Sequence, residues 1–240
     1  MKAMWTIAQR EWRSFFLLPV GWVVIALYLL VTGVVFAEAS LRPGEPATMR
    51  DFFGAAAALM IVVCPAISMR LISEEMRTGT LEGLMTSPLG DVSLATGKYL
   101  GACLFLVSML APSLVYVLTL YLIADPPPDP GPILAGYLSL LLVGMTFLAI
   151  GTVVSSLTSS QTLAFLGAFL ALLLLLIGPD LLLPKAPNWA AAALRPLSIN
   201  LRVQDFAKGV IDLSHVVFFL SLSFWFVMLT ALLLTSRRWR

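Results

Sequence analysis

Few residues in this chain are of a type and spacing that could do chemistry. The nearest approach to a phosphate-binding loop is Gly90-Asp-Val-Ser-Leu-Ala-Thr-Gly97-Lys98-Tyr99. Such a loop needs a tighter run between its glycines, so that backbone N–H groups cradle the phosphates, and a Ser or Thr after the Lys to hold magnesium. Here the glycines are too far apart and Tyr99 stands at the magnesium position. The chain is therefore expected to hold neither ATP nor magnesium. His215 is the one histidine, which rules out a His-Glu-x-x-His helix or a pair of imidazoles, so no metal site is expected. A Ser–His dyad through His215 would need a Gly-x-Ser-x-Gly elbow, which the sequence lacks. No catalytic residue is assigned, and His215 reads as an interfacial residue at the mouth of an apolar segment. Glu38, Glu45, Asp51, Asp125 and Asp129 are scattered rather than paired on one element. Cys64 and Cys103 sit inside apolar runs and read as small hydrophobes.

The elements that would position any site are membrane spans. The chain is 60 % apolar and 12 % charged, with a mean hydropathy of +0.96. A water-soluble domain carries about 25 % charged residues, so lipid is the expected solvent. The formal charge of +2 and the absence of a long basic run argue against nucleic acid as a partner. Six apolar runs read as transmembrane helices: 16–37, 52–72, 101–123, 133–154, 163–178 and 216–234. Each approaches the roughly 20 residues that cross the hydrocarbon layer, and none has a charge at its centre, where proton- or sodium-coupled carriers usually place one. The fold class is thus an all-α integral membrane protein, a single domain over residues 1–240.

With both termini in the cytoplasm, the inner segments hold Lys2, Arg10, Arg13, Arg70, Arg77, Lys98, Arg237, Arg238 and Arg240. The outer ones hold Arg42, Arg50, Lys185, Arg195, Arg202 and Lys208. The excess of inner cations favours that orientation. Over residues 1–15, Trp5, Ala8, Trp12 and Phe15 recur at helical spacing with Lys2, Gln9 and Arg13 on another face, the pattern of an interfacial elbow helix. Pro65 and Pro112 should kink the second and third spans. Gly97-x-x-x-Gly101 offers a small face for close helix packing. Residues 184–212 form an outer excursion. Within it Ile199, Val203, Phe206 and Val210 mark an amphipathic stretch, with Arg202, Asp205 and Lys208 elsewhere.

Residues 73–90 are the most informative segment. The second span should continue as a helix through Glu74, Glu75 and Arg77, with Gly79 ending it in the left-handed conformation. Thr80 can cap a second short helix, and Glu82 suits the positive end of its dipole. Ser87-Pro88 stops that helix. Leu81, Leu84 and Met85 fall on one apolar face, in a cytoplasmic helix that has already left the bilayer, and such a face suits a groove on another protein.

This segment resembles the coupling region of ABC-2 type permeases: an acidic pair, Arg, Gly-Thr-Leu-Glu and a Ser-Pro pair. Glu74, Glu75, Arg77, Gly79, Thr80, Leu81, Glu82, Ser87 and Pro88 match it; Gly83 and Met85 depart from the Leu-rich run usual there. Gln9-Arg-Glu-Trp-Arg13, Ser155-Ser156-Leu157 with Gln161, and Leu197-Ser198 with Phe206-Ala-Lys-Gly-Val-Ile-Asp212 extend the resemblance, the last being most similar to the gliding-motility subtype. The resemblance implies a permease subunit in a bacterial cell (inner) membrane, partnered by an ABC ATPase that binds ATP and magnesium and by a second permease, identical or not. It also leaves room for an extracytoplasmic accessory protein. ATPase closure would be felt through Glu74–Pro88 and the elbow helix. No substrate-binding residue is assigned. On the residues alone, an ATPase-independent scaffold or channel, or an intramembrane enzyme, stays an alternative.

Overall fold

The structure is a computed structural model in which residues 2–40, 47–80, 83, 90–182 and 198–238 are described. Among them every regular element is helical. The helices are α1 (Lys2–Leu17), α2 (Pro19–Ser40), α3 (Arg50–Ser68), α4 (Ser73–Thr78), α5 (Asp91–Leu110), α6 (Leu114–Ile123), α7 (Pro130–Leu157), α8 (Gln161–Leu182), α9 (Ile199–Ala207) and α10 (Leu213–Arg238). A 3₁₀ turn, Ala111–Ser113, joins α5 to α6. Six segments are long and apolar enough to cross a membrane: α2, α3 with α4, α5 with α6, α7, α8 and α10. This is the all-α, six-span membrane architecture expected from the sequence.

The boundaries have local causes. Asp129 accepts a hydrogen bond from Gly131 N at 3.0 Å, and Pro130 at the first helical position gives up no needed donor, so α7 starts there. Pro112 lacks an N–H and sits in the 3₁₀ turn that breaks the third span. That span begins at Asp91 rather than at Gly101, ten residues earlier than the apolar run suggested. The second span also differs from the expectation. It does not run unbroken through Glu74: α3 stops at Ser68, and α4 begins anew at Ser73 after a turn.

Helix α7 is the centre of the bundle. It packs on α3, α5, α8, α9 and α10, and 72 % of its apolar window is buried, against 22 % for α8 and 28 % for α2. Phe147, Leu148 and Ala149 are fully enclosed. Within this apolar setting Thr146 Oγ1 lies 3.2 Å from Phe219 O and 3.1 Å from Ser223 Oγ. These bonds stitch α7 to α10 at a depth where water offers no competing partner; each contributes about 0.6–2 kcal/mol. The outward faces of α2 (Val23, Leu27, Leu30, Val34) and α8 (Leu163, Leu166, Leu170, Leu174) are exposed and apolar, as lipid requires.

Helix α1 lies against α5. A Cβ on Gly97 would stand 2.9 Å from Ile7 Cβ and from Met4 O, and one on Gly101 would stand 2.6 Å from Glu11 Cβ. The two glycines thus bring the helix backbones together, as their spacing suggested. Ala8 and Phe15 are buried in the contact, with Phe15 stacked on Phe105 at 4.5 Å, while Trp5 stays half exposed.

Candidate functional site

The turn between α3 and α4 exposes backbone donors that no helix satisfies. Ile72 N and Ser73 N both turn to the hydroxyl of Ser155 on α7, at 3.2 and 3.1 Å, and that hydroxyl donates to Met69 O at 3.2 Å. One buried serine therefore caps α4 from another helix, in place of the side-chain cap that α4 lacks. It fixes the angle at which α4 leaves the bundle.

Helix α4 then presents its acidic pair to two neighbours. Arg70 reaches Glu74 Oε2 through Nε (2.9 Å) and Nη2 (2.8 Å). Glu75 meets Lys98 of α5 at 2.8 Å and Arg10 of α1 at 3.2 Å, both on Oε1. Glu11 of α1 meets the same two cations, Lys98 at 3.0 Å and Arg10 at 3.0 Å, on its own Oε1. The four groups close a ring of alternating charge: Arg10, Glu11, Lys98, Glu75 and back to Arg10. Two cations and two anions cancel, which is the condition for holding a lysine with 2 % of its side chain exposed. Burial works against the charge on Arg10, but its bonds to Glu11 and Glu75 outweigh this and raise its pKa. Glu75 Oε2 is buried with no hydrogen-bond partner among the described residues.

The ring joins three elements far apart in sequence. Nearby contacts secure the same end of the bundle: Thr235 Oγ1 donates to Asp91 Oδ2 at 3.0 Å, and Arg237 Nη2 to Leu157 O at 3.4 Å. Any displacement of α4 must be felt by α1 and by the start of the third span. The arrangement has no nucleophile, and among the described residues no group of His, Cys, Asp and Glu could hold a metal. Its chemistry is mechanical: a charge-paired joint.

A family model described as ABC-2 type transporter matches residues 2–191. The chain belongs to that family. It is the membrane-embedded permease component of an ABC transporter, a component that has no ATP-binding motif of its own and generally works with an ABC ATPase. No curated protein matches the permease.

In this permease the residues singled out from sequence divide three ways. Glu74 and Glu75 enter the ion pairs. Gly79 has φ +72 and terminates α4 as its left-handed cap, while Arg77 and Thr80 are exposed beside it. Leu81, Glu82, Leu84 and Met85 lie outside the described residues, as do Ser87 and Pro88. Sequence reasoning missed Glu11, Lys98 and Ser155 as working parts. From sequence Lys98 reads as a topology charge, yet it lies on α5 beside the two glycines that let α1 approach, and that adjacency is the available signal. The amphipathic stretch of the outer excursion forms α9, with Ile199, Val203 and Phe206 buried but Val210 exposed, because the helix ends at Ala207. Arg202, expected on the polar face, is only 9 % exposed. The part of the excursion from 184 to 197 is outside the described residues.

Proposed function

We propose that this permease couples ATP hydrolysis by a separate ATPase subunit to movement of a substrate, or to mechanical work, across a bacterial inner membrane. ATP and magnesium would sit in the ATPase, and this chain would hold neither. The observation that carries the reading is the closed ring of Arg10, Glu11, Lys98 and Glu75, which ties the α4 exit to the elbow helix and the third span. A loop that only set topology would have no need to bury a lysine. In this reading the segment from Glu74 through Arg77, Gly79, Thr80, Leu81, Glu82, Leu84 and Met85 to Pro88 receives the ATPase. Leu81 and Leu84 enter its groove, each contributing about 1.5–3 kcal/mol. Nucleotide-driven closure then moves α4, and the ring passes that movement to α1 and α5 as a rigid body. The subunit works as a pair with itself or a second permease. The elbow helix lies at the cytoplasmic membrane surface, both termini are cytoplasmic, and the gliding-motility subtype is the nearest pattern.

The test separates docking from transmission. Leu81→Asp with Leu84→Asp should release the co-expressed ATPase in pull-downs from detergent. Lys98→Met should keep the ATPase bound but lower permease-dependent ATP hydrolysis in proteoliposomes at least tenfold, with Lys98→Arg restoring part of it. Retention of the ATPase by the double Asp variant, or normal hydrolysis with Lys98→Met, overturns the reading.

A further inference from the structure

The outward edge of α1 carries charge that the ring does not use up. Arg10 bonds to Glu11 and Glu75 through Nη2 alone, at 3.0 and 3.2 Å, and its side chain is 55 % exposed, against 2 % for Lys98. A guanidinium has five N–H donors, so those on Nε and Nη1 have no partner among the described residues. Arg13 is exposed and has neither an ion pair nor a hydrogen bond among the described residues. Residues three apart are neighbours on a helix surface, about 5–6 Å between Cβ atoms, so the two guanidinium groups border one strip of α1. The ring is neutral, and Glu11, the one acid of α1, is spent within it. The net charge of the strip therefore comes from Arg13, and Arg10 adds donors.

Apolar side chains flank these cations. Trp5, Leu17 and Trp22 are all at least half exposed, and Leu17 and Trp22 lie at the corner where α1 turns into α2. From there the exposed apolar surface runs on into the outward face of α2, through Val23, Leu27 and Leu30. The corner is firmly built. Trp22 Nε1 donates to Phe16 O at 3.0 Å, and the Phe16 ring meets Trp12, Trp22 and Phe105 edge-on at 5.6, 5.7 and 5.6 Å. Cations and exposed aromatic rings on one fixed edge, continuous with a lipid-facing side, are the makeup of a helix that lies at headgroup depth.

We propose that Arg10 and Arg13 bind the phosphate of an anionic phospholipid in the leaflet at the ring end of the bundle. A lipid brings its phosphate to the two guanidinium groups and its chains to Leu17, Trp22 and the outward face of α2; a free phosphate would leave that apolar surface uncovered. Charge-assisted bonds from arginine to phosphate are among the stronger hydrogen bonds. Arg10 is then held from inside by Glu11 and Glu75 and from outside by the headgroup. The lipid is thus a further partner of the charge ring, one that ties α1 to the bilayer surface whether or not an ATPase docks at α4.

The test uses the purified full-length permease without ATPase, in nanodiscs of phosphatidylcholine alone or with about 30 mol % phosphatidylglycerol. A cation near an anionic surface gains enough for roughly a fivefold effect, so amide exchange over 2–17 should be about fivefold slower in the anionic discs. Arg13→Gln, which leaves the ring intact, should lose most of that difference, and Arg13→Lys should keep part of it. Inorganic phosphate added to the neutral discs should leave the exchange unchanged. Equal exchange in the two lipids overturns the proposal, as does a slowing that Arg13→Gln fully retains. Slowing by inorganic phosphate alone also overturns it, because the site would then take a free anion. So does protection of α1 by a co-purified ATPase in neutral discs with no response to phosphatidylglycerol, because the strip would then belong to the ATPase. No arm measures ATP hydrolysis or transport, so failure here is distinct from failure of the coupling reading.

Discussion

At the scale of single residues, the permease depends on side chains that complete what the backbone leaves undone. Ser155 serves two buried N–H groups, of Ile72 and Ser73. A buried donor without an acceptor costs about 1–3 kcal/mol. Ser155→Ala is accordingly expected to destabilise the permease by about 2–4 kcal/mol in chemical unfolding in detergent, within the range for two such donors partly relieved by local movement. Amide exchange at Ser73–Thr78 should rise with it, while Ser156→Ala, whose hydroxyl only returns to Val153 O in its own helix, should have little effect. Equal losses for the two serines would mean that Ser155 is a packing residue rather than the cap of α4. At the opposite end, Asp212 has its pKa lowered, first by the backbone N–H of Ser214 and then by that residue's hydroxyl. A carboxylate with a lowered pKa contributes its stabilisation above the ordinary range near 3.9 and loses it as pH falls through the lowered value. Asp212 therefore stays ionised at pH 5.5, and its stabilisation of the turn before α10 should be lost only in stronger acid.

At the scale of elements, small residues decide which helices touch. Alanine in place of glycine inside a helix stabilises by up to about 1 kcal/mol. Gly54→Ala should show that gain in the midpoint of thermal unfolding, because a Cβ there meets nothing within 4 Å. Gly101→Ala should do the reverse and lower stability by about 1–3 kcal/mol: its Cβ would press on Glu11 Cβ at 2.6 Å and on Ala8 O at 2.9 Å, and a backbone oxygen cannot swing away. The displaced α1 would carry Glu11 off Lys98, so Gly101→Ala should also reduce coupled ATP hydrolysis, as Lys98→Met does. A rise in stability with Gly101→Ala would remove the close contact from the account. The same elements mark how far the sequence could be read. Apolar runs gave the six spans, because lipid imposes length and composition on each segment separately. The spacing of Gly97 and Gly101 signalled close packing, and Gly79 signalled the end of α4. The break at 69–72 was not legible, since Pro65 lies inside α3 and the decisive hydroxyl comes from Ser155, more than eighty residues away. Nor was the burial of Lys98 and Arg202: a charge reads as solvated until the partner helices that neutralise it are in place.

At the scale of the whole molecule, the two ends of the bundle carry different kinds of polar joint, linked by the enclosed α7. The charge ring belongs to the end with Ser155 and Leu157, and the contacts of His215 with Arg202 and Asp205 to the end with Pro130. If the ring end faces the ATPase, it must face the cytoplasm, and the Pro-rich turn before α7 must face outward. The excess of cations at the ring end points the same way, and thiol labelling tests it. Pro127 and Thr80 are both exposed, at opposite ends, whereas Cys64 is buried and Cys103 half-buried, which limits the background from native thiols. In intact cells Pro127→Cys should react with a membrane-impermeant thiol reagent. Thr80→Cys should react only after the membrane is permeabilised, and co-expression of the ATPase should then slow its labelling, because Thr80 lies next to Leu81 at the start of the docking segment. Labelling of Thr80→Cys from outside would invert the molecule and remove the docking site from the compartment that holds ATP. Unchanged labelling in the presence of a bound ATPase would keep the orientation but move the docking surface away from Thr80, leaving the charge ring to transmit force from another part of the cytoplasmic end.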